Sequence, residues 1–190
     1  MADSRRVTHS RRELLELVPK SGLAVEVGVW AGDFSVDILD VVKPTQLVLI
    51  DTWQDYWGQA GDVTYGCVQS RFADDARIVT WRGLSQEMIP RLPDRAVSFA
   101  YVDGDHEFES VLQDLESLLP KMHPGGWLCG HDFCCCNDYG VVRAVAVFCD
   151  RHHLRIDAMT DEPLAPVLGS DRMHYPPLVA YNSFGIKVPL

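Results

Sequence analysis

Short apolar runs alternate along the chain with stretches whose apolar positions recur at helical spacing, and this alternation predicts strands and helices in turn. Residues 10–18 set Leu14, Leu15 and Val18 on one face, with Ser10 and Glu13 spaced as a capping box, so the N-terminal segment 1–20 is expected to hold a short amphipathic helix. Residues 23–27 read as the first strand and 34–42 as a helix ended by Pro44. Strands follow at 46–51, 77–81, 97–102 and 127–130, with helices expected at 63–72, 108–121 and 139–151, the last capped by Asn137 and Asp138. A sixth strand at 155–159 leads into a connection, 160–182, that carries Pro163, Pro166, Pro176 and Pro177 and has little helical pattern, before a last strand at 183–188. Seven strands with helices between them describe a single doubly wound α/β domain over residues 1–190, long enough to bury its own core.

One turn in this series has the chemistry of a ligand site. Gly28 and Gly32 bracket the passage from first strand to helix, where glycine permits positive φ and close approach of a ligand to the backbone. The helix that follows offers unpaired N–H groups. A dinucleotide fingerprint needs glycines at the third and sixth places of G-x-G-x-x-G, where this chain has Trp30 and Asp33, so a pyrophosphate would meet an indole and a carboxylate. Glu26, Gly28 and Gly32 instead resemble motif I of class I S-adenosylmethionine (SAM) dependent methyltransferases, and the resemblance implies SAM as cofactor. A sulfonium cation without phosphate is attracted, not repelled, by such carboxylates. Asp51 lies 23 positions after Gly28, close to the interval of roughly 20 residues at which an acid ending the second strand hydrogen-bonds a ribose diol. Trp53, just beyond it, joins the candidate cofactor contacts. In that family the turn after the third strand flanks the adenine, which adds Leu84 and Ser85.

The strand at 97–102 is apolar enough to be buried on both faces and delivers Asp103, Asp105 and His106 to the edge where ligands of open α/β sheets bind. Asp105 is also placed to cap the helix after it. The strand at 127–130 runs likewise into His131 and Asp132. The run Y-V-D-G-D-H-E-F-E-S-V-L-Q-D-L-E, followed by L-P-K-M-H-P-G-G-W-L-C-G-H-D-F, is similar to small-molecule O-methyltransferases of the macrolide-sugar and aminocoumarin-sugar kind, a branch grouped with cephalosporin-hydroxylase-like proteins. The similarity extends over residues 23–148. It implies a Rossmann-like seven-stranded mixed sheet, the last strand antiparallel between the fifth and sixth, and transfer of methyl from SAM to a small-molecule hydroxyl. It also implies Mg²⁺ held by Asp103 and Asp132, with His131 where some relatives have another acid. Strand ends about 4.8 Å apart can share one ion at about 2.0–2.1 Å, although the imidazole of His131 suits a transition metal better than Mg²⁺. Asp105 or His106 then takes the acceptor proton, and the sequence does not choose between them.

Charge and composition narrow the partners. A net charge of −10 argues against a nucleic-acid surface, and no apolar run approaches the roughly 18 residues of a membrane span. Arg5, Arg6, Arg11 and Arg12 are not followed by the apolar core, roughly 7–15 residues long, of a secretory signal, so a cytoplasmic protein with free thiols is expected. Cys129, His131, Cys134, Cys135 and Cys136 lack the separated ligand pairs of structural zinc, and the cysteines read as small apolar packing. Trp53, Tyr56, Trp57 and Tyr65 would form a substrate wall, pack on the sheet edge, or be buried in a homodimer. The acceptor pocket is expected among the loop after Asp51, residues 134–139 and the stretch around His174 and Tyr175. His152 and His153 are expected to oppose the negative end of their helix. Open alternatives are metal-independent methyl transfer to nitrogen or oxygen, in which Asp103 serves the cofactor's amino group, and a module that binds SAM without turnover. An NAD-dependent oxidoreductase is disfavoured by Trp30 and Asp33.

Overall fold

Alternate side chains of the central strands enter one of two apolar layers, which is why these strands read as apolar at nearly every position. The computed structural model describes residues 5–55, 58–134, 139–163, 165–166 and 178–190. Its strands are β1 (Arg6–Thr8), β2 (Leu23–Val27), β3 (Gln46–Asp51), β4 (Ile78–Arg82), β5 (Val97–Val102), β6 (Met122–Gly130), β7 (Ala158–Thr160), β8 (Ala165–Pro166), β9 (Leu178–Val179) and β10 (Phe184–Lys187). Helices are α1 (Arg11–Leu14), α2 (Asp33–Val41), α3 (Gly61–Arg71), α4 (Ser85–Met88), α5 (Phe108–Leu118) and α6 (Val141–His152). Eight strands form one sheet in the order β1-β7-β10-β6-β5-β2-β3-β4, parallel throughout except for β10. As expected, the last strand runs antiparallel between the two that precede it in the sheet, β6 and β7.

Val25, Val27, Val48, Ile50, Val102 and Leu128 face one layer, closed by α4, α5 and α6 through Met88, Leu115, Val145 and Phe148. Ala24, Leu47, Leu49, Phe99, Tyr101 and Cys129 face the other, closed by Leu14, Phe34, Ile38 and Val68 of α1, α2 and α3. The parallel strands thus send their C-terminal ends, and the residues just after them, to one edge of the sheet.

Departures from the expected elements have local causes. The eighth strand is β1, three residues long, which has too few positions to show a period and exists by pairing with β7 at the sheet edge. α1 is a single turn in place of 10–18: the Ser10 hydroxyl accepts the Glu13 N–H (3.2 Å), Glu13 accepts the His9 N–H (2.9 Å), and Leu15 and Val18 reach the core from the turn beyond. α4 and the two-stranded β8–β9 ribbon are likewise too short to be read from pattern. β6 begins at Met122, not at Trp127, because its register with β5 shifts between the Val97–Met122 and Phe99–Trp127 pairs. Pro124, which has no N–H for a ladder, lies within that irregularity. α6 starts after Gly140, and Asn137 and Asp138 lie outside the described residues. His152 ends the helix not against its dipole alone but bonded to Glu116 of α5 (2.6 Å). Among the described residues, no helix is long and apolar enough to cross a membrane.

Candidate functional site

The turn after β2 is shaped by glycine and by one carboxylate. At Gly28 (φ +84°) a Cβ would lie 2.1 Å from the carbonyl oxygen of Asp103, so only glycine lets the ends of β2 and β5 pass each other. Gly32 (φ +79°) turns the chain into α2. Between them Asp51, at the end of β3, accepts the N–H groups of Val29 (2.7 Å) and Trp30 (2.8 Å) on Oδ2 and that of Trp53 (2.7 Å) on Oδ1. These bonds hold Trp30 at φ 50°, a left-handed conformation that is uncommon for a bulky residue. Trp53 is buried against Tyr65 (4.7 Å between ring centroids), and its indole N–H donates to the Trp30 carbonyl (2.9 Å). Trp53 is therefore a buttress beneath the turn. A carboxylate offers about four acceptor directions, and the turn takes three of those of Asp51.

Glu26 follows Ala24 on the α2 side of the sheet, where the Ser35 hydroxyl donates to it (2.5 Å). Burial, supplemented by the charge of Asp103, outweighs that bond and pushes the Glu26 carboxyl up to about 8. Tyr101 of β5 is aligned with Glu26 of the neighbouring β2, and its phenol shares a hydrogen bond with Ser183 (2.8 Å). Above them sits the Arg11 guanidinium, 4.7 Å from the Phe34 ring centroid and with Nη1 3.5 Å from Asp103 Oδ2. Sequence reasoning missed Arg11, Tyr101 and Ser183. The helix start at Ser10 was the sole signal near Arg11, and the Glu26–Tyr101 alignment exists only once strand order is known.

The tips of β5 and β6 gather the second group. Asp103 Oδ1 lies 3.5 Å from His131 Nδ1, which is 3.4 Å from Asp132 Oδ2, and the same Oδ2 meets His106 Nε2 at 2.8 Å. His106 stacks on Tyr139 (4.5 Å, 25°). Asp132 is buried with φ 52°, which an aspartate tolerates better than most residues. Burial opposes its ionisation, yet hydrogen bonds from His106 and His131 outweigh burial and hold it well below the usual carboxylate range. Burial pulls His131 down, but Asp103 and Asp132 prevail and carry it up to about 9. His106 is likewise raised, burial being overcome by Asp132, whereas burial raises Asp103.

Among the described residues, Asp103, His131 and Asp132 form the one group of three or more metal-type side chains, with ligand atoms within 4.8 Å of one another and no cysteine among them. Cys129 and Cys134 are buried, and Cys134 packs with Tyr139 and Tyr181. Tyr56, Trp57, Cys135, Cys136, His174 and Tyr175 lie outside the described residues.

The remaining candidates separate. Asp105 accepts the Glu107 N–H (3.1 Å) and braces the start of α5. Leu84 is exposed at the N-cap of α4, and Ser85 bonds Asp114, a buried residue of α5 that the sequence did not mark. Burial lifts the Asp114 carboxyl from 3.8 to about 6 against the Ser85 bond. Because the folded value lies above the unfolded one, ionisation of Asp114 removes stability as pH rises from 3.8 through about 6. Asp114→Asn is thus expected to exceed the wild type by about 2–3 kcal/mol above that range in urea unfolding, with the gap closing below it. A pH-independent difference would show that Asp114 is not the titrating group.

The chain matches the model of a family described as "Methyltransferase domain" over residues 25–133, which include both tips and the glycine turn. A search of curated protein sequences finds no match. Solved structures with the same fold include a Streptococcus mutans protein in complex with S-adenosylhomocysteine (SAH), with TM-score 0.63, 13% identity and coverage of 94% of this chain and 96% of that one. The N-methyltransferase NodS of Bradyrhizobium japonicum is similar at TM-score 0.64, 13% identity and coverage of 95% and 93%. The precorrin 8W decarboxylase of Methanobacterium thermoautotrophicum is similar at TM-score 0.62, 15% identity and coverage of 95% and 89%.

Proposed function

The chain belongs to the methyltransferase domain family and is a SAM-dependent methyltransferase, and on that premise we propose that it methylates a hydroxyl of a small molecule with His106 as general base. The fold is shared by proteins named as an N-methyltransferase and as a decarboxylase, so the fold does not identify the acceptor. The observation that carries the reading is the His106–Asp132 pair, 2.8 Å apart, where the segments after β5 and β6 meet. The acceptor oxygen attacks the methyl carbon, the carbon–sulfur bond breaks with its electrons going to sulfur, SAH leaves, and the hydroxyl proton passes to His106. With Nε2 committed to Asp132, Nδ1 is the nitrogen that receives it. The neighbouring acid orients the ring, and alignment of oxygen, methyl and sulfur supplies the rest of the rate. The net charge of −10 favours a small acceptor over nucleic acid.

Asp103, His131 and Asp132 also fit a divalent ion, since imidazole-to-carboxylate separations of 3.4 and 3.5 Å suit adjacent ligands at bond lengths of about 2.0–2.2 Å. Two carboxylates and an imidazole suit a transition ion better than Mg²⁺. When bound, the ion would supply Lewis acidity to the acceptor oxygen. His131 must give up its proton to ligate, and as the imidazolium it bridges the two acids by itself. Release of SAH is expected with hydroxyl-bearing small molecules but not with RNA or protein. Thorough chelation by EDTA should lower it at least about tenfold, and Mn²⁺ should restore it. Full turnover after chelation would remove the ion from the mechanism, and methylation of RNA would remove the acceptor class.

A further inference from the structure

Arg11 lies outside the residues matched by the family model, yet its side chain stands within the candidate site. α1 is fixed from both sides: Leu14 and Leu15 are fully buried, and the Arg11 backbone N–H donates to Glu162 (2.8 Å). That anchorage holds the side chain over Phe34, beside Tyr101, with Nη1 3.5 Å from Asp103. A separation of 3.5 Å is long for a charge-assisted bond, and a guanidinium carries five donors. Its neighbours are unusual for a surface arginine, because it bonds the buried Tyr101 and two carboxyls, Asp103 and the fully buried Glu26, act on its charge.

A guanidinium beside acidic groups matches a zwitterion, whose carboxylate the arginine takes in a two-pronged bond while its ammonium meets the acids. We infer that Arg11 anchors the α-carboxylate of the amino-acid end of SAM, and that Asp103 Oδ2, with Glu26 behind it, receives the α-ammonium. Asp103 then divides the site, Oδ2 facing the amino-acid end and Oδ1 facing His131 and the reacting oxygen. This places the sulfonium between the glycine turn and the His106–Asp132 pair. The inference rests on SAM being the cofactor, and it assigns to a one-turn helix outside the matched family segment the task of fixing how far the methyl group projects.

Calorimetric titration of the full chain with two ligands separates this inference from the reading it rests on. The first is SAH; the second is S-adenosyl-3-thiopropylamine, which is SAH without its carboxylate. Arg11→Ala is expected to weaken SAH by about 10- to 100-fold and to leave the decarboxylated ligand within about twofold, so that the mutant no longer distinguishes the two. Arg11→Lys, which keeps the charge but not the fork, should fall between. Equal losses for both ligands, or no loss for SAH, overturn the role of Arg11 while leaving SAM as cofactor. Failure of the wild type to bind either ligand overturns both. A melting temperature unchanged in Arg11→Ala shows that the backbone anchorage of α1 has survived.

Discussion

Asp51→Ala is expected to lower the affinity for SAH at least about 100-fold and to destabilise the fold by about 3 kcal/mol, because it leaves three backbone N–H groups without their acceptor. Those three groups are what hold Trp30 in its left-handed conformation, so the turn itself loosens along with any bond that Asp51 gives to a ribose. Asp51→Asn keeps one oxygen and should give an intermediate loss of both quantities. Titration with SAH and urea unfolding of the three proteins provide the check. If Asp51→Ala lost affinity at unchanged stability, the carboxylate would serve the ligand alone and the turn would be held by its glycines.

The second large effect is expected at His106. His106→Ala should reduce kcat by about 10²- to 10⁴-fold, the usual span for a lost general base, with SAH affinity unchanged within about threefold. Asp105→Ala, in contrast, should lose only about 1 kcal/mol of stability, the scale of a helix-start interaction, because Asp105 is turned to the Glu107 N–H. Steady-state kinetics on both variants decides between the two residues. A large fall in kcat for Asp105→Ala with His106→Ala nearly active would reverse the assignment. The geometry behind the expectation is a single short contact, His106 to Asp132, between residues from the loops after two different strands.

Much of the site was legible because its residues sit at strand ends, and strand ends are marked by where an apolar run stops. Asp51, Asp103 and Asp132 each follow such a run directly or by one or two residues, and parallel strands in one sheet must present these ends on a common edge. Glu26 was legible through its spacing to Gly28 and Gly32. Its partner was not, since the Ser35 hydroxyl comes to it only when α2 packs on that face. Trp53 shows the limit of reading position alone: two residues beyond Asp51 it looked like a ligand contact, but its indole turns inward to brace the Trp30 carbonyl.

The amino-acid sequence by itself determined the alternation of strand and helix, the glycine turn, the acids at the tips and, through them, the cofactor class, because each is written in local spacing and in residue types with few substitutes. Tertiary structure alone decided that β1 closes the sheet edge, that His106 meets Asp132, and that Arg11 reaches over Phe34 toward Asp103. Those outcomes join residues far apart in the chain, Arg6 with Ala158 and Arg11 with Asp103 among them. No period or motif records them, since they arise from which elements bury their apolar faces against one another.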